Sequence, residues 1–241
     1  MSDPGSAPRD SAAAILLAFD CSGPSCSAAV ARGGRVLAAA FETRPRGQGE
    51  RLLPMVGEVL AEAGCGYADL AGIAVTLGPG SFTGLRIGLA TARALALATG
   101  LPLVGRTSFA VLAAAAAPAR VPGERLLVAI DSQRGDLFLQ GFDAQASATE
   151  APWACAAREA AARLEGPLLL AGSGAGRLAE ALAAQGRSCR IAEAAQLPDA
   201  AVLARLASLA PLPPAGGPPP AALYLRPPDT TQPAPPGRGA R

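Results

Sequence analysis

The 241-residue sequence contains no histidine and no lysine, and only 4% of its residues are aromatic. Without histidine, the Ser-His-Asp and Cys-His forms of nucleophilic catalysis are excluded, and a structural zinc site is not expected. Without lysine, a Schiff base is excluded, and none of the glycine-rich turns can be a phosphate loop of the G-x-x-x-x-G-K-[ST] type. Half of the chain is apolar, but because so few of these residues are aromatic, the core must be built mainly from alanine, leucine and valine.

Concentrated charge is also missing, because 21 basic and 19 acidic residues are interspersed along the chain and leave a net charge of +2. The sequence therefore lacks the basic patch that nucleic-acid binding by this chain alone would require. No uninterrupted apolar run reaches the ~18 residues of a membrane span. Residues 1–12 are predicted to be a disordered leader and not a signal peptide, and the protein is predicted to be cytoplasmic and not bound to a membrane.

The five cysteines are odd in number, are scattered along the chain, and form no C-x-x-C motif. This pattern favours buried free thiols in a reducing compartment. The cysteines are Cys21, Cys26, Cys65, Cys155 and Cys189.

The most informative stretch runs from Gly72 to Thr99. The apolar run Gly72–Leu77 has the length of a strand, and the Gly-Pro-Gly that follows predicts a turn. Ser81 and Thr83 are suitable N-cap residues, and the chain from Thr83 to Thr99 has the composition of a helix of about four to five turns.

Small residues recur at every fourth position of this predicted helix, at Gly84, Gly88, Ala92 and Ala96. Each glycine inside a helix costs roughly 1 kcal/mol relative to alanine, so the stripe indicates close approach of another backbone. Leucines, including Leu85 and Leu97, occupy the other side. Either one side packs on the chain's own sheet and the other on a second polypeptide, or both are covered by the same chain.

The remaining pattern predicts an α/β protein whose first half has the order β-β-β-α-β-α-β-α, with a mixed sheet covered by helices. A second apolar strand that ends in Asp131 repeats the opening, in which the first strand ends in Asp20. We therefore predict an N-terminal lobe over residues 13–105 and a related C-terminal lobe over 106–210. The proline- and glycine-rich tail, 211–241, is predicted to be mostly extended or disordered, with order only at Ala222–Arg226.

Three polar or glycine-rich segments follow predicted strands and are weak candidates for binding a nucleotide. An aspartate after a buried strand can hold Mg²⁺ through water, and backbone N–H groups at a glycine-rich helix start can bind phosphate. The same residues also serve as ordinary turns. The candidate residues are Asp20, Ser22, Asp131, Gly172 and Gly174.

Three motifs resemble the TsaB (YeaZ) family, which serves in threonylcarbamoyladenosine synthesis on tRNA. They are Ile15–Asp20 with Ser22, the segment Glu50–Met55, and above all Gly78–Gly88. The resemblance is strong over residues 14–117, patchy over 118–226, and absent from both tails. It implies the two-lobed fold of actin, Hsp70 and sugar kinases.

The resemblance also implies a function, that of a non-catalytic scaffold that binds and activates TsaD. TsaD, with the ATPase TsaE in a ternary complex, modifies adenosine 37 of tRNAs that read ANN codons. The implied interface lies on the two helices that contain Glu50–Ala63 and Thr83–Thr99. It would bind TsaD, or a second copy of this chain when TsaD is absent. Contact with tRNA is implied to be only indirect. The implied interface residues are Leu52, Leu53, Met55, Val56, Val59, Leu60, Gly84, Leu85, Gly88, Ala92 and Ala96.

The alternative is an enzyme of the same fold, a small nucleotide-dependent phosphotransferase or carbamoyltransferase. It would use Asp20 and Asp131 around ATP or ADP and Mg²⁺ in the cleft between the lobes. If the chain is instead the non-catalytic scaffold that the resemblance implies, no cofactor and no metal are expected.

Overall fold

The computed structural model describes residues 14–226 and consists of two five-stranded mixed sheets flanked by helices. The predicted leader, the first residue of the predicted N-terminal lobe and the tail from residue 227 onward lie outside this range. In the first sheet the strand order is β3-β2-β1-β4-β5. The strand β2 is antiparallel to both of its neighbours, β1 and β3, whereas β4 and β5 run parallel to the central β1. Its strands are β1 (Ile15–Asp20), β2 (Ser25–Arg32), β3 (Arg35–Thr43), β4 (Leu70–Thr76) and β5 (Leu103–Arg106).

The second sheet repeats this topology, with the order β8-β7-β6-β9-β10 around the central β6. Again two strands are antiparallel neighbours on one side and the other two are parallel. The repeat that the two strand–aspartate units predict is therefore present throughout the second sheet. Its strands are β6 (Arg125–Asp131), β7 (Asp136–Phe142), β8 (Trp153–Ala156), β9 (Leu168–Ala171) and β10 (Arg190–Ile191).

Six α-helices are described, and the predicted order β-β-β-α-β-α-β-α over the first half is confirmed. None of the described helices is long and apolar enough to cross a membrane. The helices are α1 (Gln48–Glu62), α2 (Phe82–Thr99), α3 (Ser108–Ala116), α4 (Ala157–Arg163), α5 (Ala175–Ala183) and α6 (Ala200–Ser208).

The two halves exchange their last helices. The helix α3 follows the first sheet in sequence, yet Phe109 and Leu112 pack with Val128 of the second sheet. Conversely, Leu203 and Ala204 of α6 pack on the first sheet. Each lobe is thus completed by a helix from the other half of the chain. The division of the chain into lobes at residues 105 and 210 stays a prediction.

Two local features differ from the sequence-based expectations. The helix α1 begins at Gln48 and not at Glu50, so Pro54 lies inside the helix although its ring excludes a backbone hydrogen bond there. The strands β8 and β10 were not predicted, because runs of four and two residues are too short to show a period-two pattern.

Candidate functional site

A cleft of about 640 Å³ lies between the two lobes. The first lobe contributes the turn after β1 and the start of α2, and the second contributes the turn between β6 and β7 together with Ser173. The segment 223–226 forms a third wall. This segment is the part of the tail for which order was predicted.

The motif Gly78–Gly88, called the glycine signature below, packs the start of α2 against the turn after β1. The Ser81 side chain caps α2 by accepting from the Gly84 N–H at 3.2 Å, and the Ser81 N–H donates to the Ser22 carbonyl at 2.7 Å. A Cβ atom at Gly80 would overlap this carbonyl, and one at Gly84 would overlap the carbonyl of Cys21. The two glycines therefore allow the start of α2 to lie directly against the turn after β1.

This packing corrects the predicted orientation of the small-residue stripe. Gly84, Gly88 and Ala92 are buried against the chain's own first sheet, and only Ala96 is partly exposed. Leu85, which was also predicted to be at the interface, is buried on the same face at 2% exposure. A close backbone approach is present at Gly84, where the approaching backbone is that of Cys21 in the same chain, whereas Gly88 meets only the Val75 side chain.

The predicted interface residues of α1 are corrected in the same way. Five of the six have exposures between 0% and 5% and belong to the core of the first lobe, because α1 turns its apolar face toward β2. Only Leu53 is exposed, at 51%. The five buried residues are Leu52, Met55, Val56, Val59 and Leu60.

The outward sides of α1 and α2 nevertheless expose apolar residues, most of them small. Leu97 is 88% exposed and Leu53 is 51% exposed, and a Cβ at the exposed Gly57 would meet no atom within 4 Å. This outward surface consists of Leu53, Pro54, Gly57 and Ala61 on α1 and Ala90, Ala94, Leu97 and Ala98 on α2.

Asp20 is fully buried and is not part of the cleft wall. Its Oδ1 accepts from the Ser22 N–H at 3.1 Å and from the Thr76 hydroxyl, while Oδ2 has no partner. Burial raises the pKa of Asp20 to about 6, because desolvation disfavours the carboxylate more than these hydrogen bonds favour it. A metal held by Asp20 from the cleft does not fit this arrangement, since the turn of Cys21 and Ser22 lies under the start of α2.

The other predicted nucleotide contacts are divided between the cleft and the interior. Ser22 and Asp131 line the cleft, but Asp131 is already bound by Arg177 at 2.9 Å and by the Gln133 N–H at 2.7 Å. Gly172 lies against the Ala129 carbonyl, and the Gly174 N–H donates to that same carbonyl at 2.9 Å. Both glycines therefore have a packing role, and Ser173 between them is the residue that lines the cleft.

The sequence analysis missed an aromatic and cationic cluster at the mouth of the cleft. The Arg86 guanidinium carbon lies 3.8 Å from the centre of the Phe82 ring, and the Tyr224 ring lies 5.7 Å from that of Phe82. The sequence pattern places Tyr224 only within the stretch Ala222–Arg226 of the tail, for which order is predicted. Nothing in the local sequence indicates that the tail returns to α2, because the contact spans more than a hundred residues.

Comparisons with known proteins identify one family. The family model described as TsaD, tRNA N6-adenosine threonylcarbamoyltransferase, matches residues 43–205. The TsaB protein of Escherichia coli, named for tRNA threonylcarbamoyladenosine biosynthesis, is 38% identical over 123 residues, which is 51% of this chain and 52% of that protein. The chain thus spans about half the length of the curated TsaB relatives that it matches.

Two solved structures extend the likeness over most of the chain. YeaZ from Pseudomonas aeruginosa is 30% identical with a TM-score of 0.67, covering 80% of this chain and 90% of its own. A structure described as an uncharacterized protein with similarity to peptidase YeaZ from Pseudomonas aeruginosa is 29% identical, with a TM-score of 0.73, over 88% and 100% of the two chains. The fold is therefore the predicted two-lobed fold of the actin and sugar-kinase type. Because of these matches over the lobes and the glycine signature, this chain belongs to the TsaD family and, within it, to the TsaB (YeaZ) proteins.

Proposed function

We propose that this chain is an accessory subunit in the synthesis of threonylcarbamoyladenosine on tRNA, that it acts in the cytoplasm, and that it binds and activates a TsaD enzyme without performing the chemistry itself. The enzyme would modify position 37 of tRNAs that read ANN codons. A TsaE-type ATPase would join the assembly, and tRNA would meet this chain only indirectly. Family membership supports the pathway, and the geometry of the site supports the accessory role.

The observation that carries the accessory role is the position of the glycine signature. In this chain Gly80, Ser81 and Gly84 hold the start of α2 against the turn after β1, and the signature residues that line the cleft, Pro79–Thr83 and Arg86, include no side chain that could serve as a general base. The carboxylate that would be the natural catalytic candidate, Asp20, is sealed beneath that turn.

We place the partner surface on the outward side of α1 and α2 and not on the stripe. Leu97 and Leu53 leave large apolar side chains in solvent, and the small residues between them leave room for a helix of another chain. A group of exposed apolar residues on neighbouring helices marks protein interfaces more often than a single exposed leucine does. The same surface would form a homodimer when the enzyme is absent.

The test is reconstitution of tRNA modification with the TsaD and TsaE proteins of the same organism, with and without this chain. Wild-type chain should raise the yield of threonylcarbamoyladenosine. Leu97→Glu should weaken binding to TsaD by roughly tenfold or more, because it places a charge in an apolar contact. Sedimentation of the isolated Leu97→Glu chain should show that its homodimer is weakened as well.

Leu209→Glu is the matched control, since Leu209 is also exposed, at 65%, but follows α6 and lies away from the outward surface. It should bind and activate as the wild type does. Equal modification without this chain would refute the accessory role, whereas wild-type binding by Leu97→Glu would refute only the placement of the surface.

The alternative, a phospho- or carbamoyltransferase, makes a different prediction. Titration of the isolated chain with ATP and Mg²⁺ would then show a micromolar dissociation constant, which corresponds to about 8 kcal/mol. Turnover would be lost in Asp20→Ala. A chain that binds no nucleotide and has no turnover alone supports the accessory role.

A further inference from the structure

Two of the five cysteines face each other beneath the cleft wall. Cys21 follows β1 and Cys26 lies in β2, and their sulfur atoms are 3.8 Å apart. The antiparallel register pairs Asp20 with Ser27, so the next opposed pair is Cys21 with Cys26. Directly opposed residues of antiparallel strands have Cα atoms about 4.5–5.5 Å apart, which is within the ~4.4–6.8 Å that a disulfide spans.

From this geometry we propose that Cys21 and Cys26 are a reversible dithiol–disulfide pair, a modification site oxidised by small-molecule disulfides such as oxidised glutathione. In the first step a Cys26 thiolate attacks one sulfur of the small disulfide, forms a mixed disulfide and releases one thiol. In the second step the Cys21 thiolate attacks the Cys26 sulfur and releases the other thiol. Two protein thiols are thereby oxidised to one disulfide while one small disulfide is reduced to two thiols.

The order of the two attacks follows from how the thiols share a proton. The contact with Cys21 lowers the pKa of Cys26, and the same contact together with burial raises the pKa of Cys21. Cys26 is therefore the member that ionises first.

Access to the pair requires a local opening and not unfolding of the lobe. Both thiols are buried, at 1% and 0% exposure, but the segment that joins them contains Ser22, Gly23 and Pro24, which line the cleft. Opening of this short turn exposes both sulfur atoms at once, so oxidation is slower than that of an exposed thiol.

The bond would act on the turn that supports α2. It would close the loop from Cys21 to Cys26, in which the Ser22 carbonyl accepts from the Ser81 N–H. Oxidation would thus restrain the junction between the cleft wall and the start of α2.

The test equilibrates the full chain in glutathione buffers of increasing oxidised fraction, traps free thiols with an alkylating reagent at low pH, and analyses tryptic peptides by mass spectrometry. Cleavage after Arg9 and Arg32 yields one peptide, residues 10–32, that carries both cysteines and no others. We expect this peptide to pass from doubly alkylated to unalkylated and lighter by two hydrogen atoms, and dithiothreitol to reverse the change. The peptide with Cys65 should stay alkylated.

The same titration in concentrated urea shows whether the fold favours the bond. The ratio of disulfide to dithiol at a given buffer should be roughly tenfold or more higher in the native chain, which is about 30 mV in reduction potential. A ratio equal to or lower than that in urea, or a native peptide that stays doubly alkylated, overturns the proposal.

Single substitutions complete the design. Cys65→Ser keeps the pair and should titrate as the wild type does. Cys26→Ser should give at most one glutathione adduct on the 10–32 peptide. If Cys26→Ser does not fold, Cys21→Ser is used in its place and should give the same result. If the remaining cysteine of either pair variant lost its alkylation at the same buffer as the wild-type pair, that thiol would be oxidised without its partner, and this would contradict the assignment.

Discussion

At the scale of single residues, the two glycines of the stripe in α2 have different roles. A Cβ at Gly84 would overlap the Cys21 carbonyl, a backbone atom that cannot move without shifting the turn after β1. A Cβ at Gly88 would lie 3.5 Å from Val75 Cγ2, an ordinary contact. The spacing of four residues is the same in sequence, but only Gly84 is required by sterics.

Gly84→Ala should therefore destabilise the protein by about 3 kcal/mol, because overpacking against backbone displaces the start of α2. Gly88→Ala, the matched control, should change stability by less than about 1 kcal/mol, or raise it, because alanine favours the helix. Urea unfolding followed by circular dichroism measures both. Equal losses in the two variants would contradict this difference.

Asp20 makes stability depend on pH in a direction unusual for a carboxyl group. Its pKa in the folded protein, about 6, exceeds the ordinary value of 3.8, so the folded state binds the proton more tightly. The stabilisation that the bound proton gives to the folded state is complete below about pH 4 and is lost as the pH rises through about 6.

Between pH 4 and pH 7 the wild type should lose on the order of 3 kcal/mol relative to Asp20→Asn, whose amide does not titrate. Urea unfolding at a series of pH values measures the difference between the two proteins. A difference that is independent of pH would show that Asp20 does not gain a proton on folding.

At the scale of elements, the segment 220–226 ties the two lobes together. The Leu223 N–H donates to the Leu77 carbonyl at 2.7 Å, which anchors the segment to the first lobe. Arg226 forms an ion pair with Asp136 of the second lobe. The Arg93 guanidinium of the first lobe also donates to the Pro220 carbonyl, at 3.3 Å. Because both lobes anchor the segment, it restrains the width of the cleft.

Asp136→Asn should release the second anchor and raise the rate of chymotryptic cleavage after Tyr224 by about two- to fivefold, the range expected for a partly exposed ion pair. Glu180→Gln on the exposed side of α5 is the control and should cleave at the wild-type rate. An unchanged rate for Asp136→Asn would mean that the Leu223 bond and the apolar contacts hold the segment alone.

At the scale of the whole molecule, the exchange of α3 and α6 makes the lobes mutually dependent. The face of the first sheet that carries Leu16 and Ala29 is covered by Leu203 and Ala204 of α6, which follows the second sheet in sequence. Neither half of the chain can bury both faces of its own sheet.

Leu203→Ala should cost about 2–5 kcal/mol, and it should accelerate amide exchange first in β1 and β2 although residue 203 is distant in sequence. Leu182→Ala, equally buried in α5, should loosen β6 and β9 of the second lobe instead. Hydrogen exchange with mass spectrometry of the two proteins distinguishes the patterns. Faster exchange in β6 and β9 of Leu203→Ala would contradict the exchange of helices.

The sequence by itself determined the order of elements in the first half, the repeated strand–aspartate unit and the family, and it limited the N-cap of α2 to Ser81 or Thr83, of which the structure uses Ser81. These properties are local, because strand and helix periods, turn residues and a contiguous motif are all expressed within about twenty residues. Only the tertiary structure decided which side of α2 is buried, because that helix is apolar nearly all round and either side could have packed on the sheet. The exchange of α3 and α6 and the return of Tyr224 to Phe82 also depend on contacts between distant segments, and no local pattern encodes such contacts.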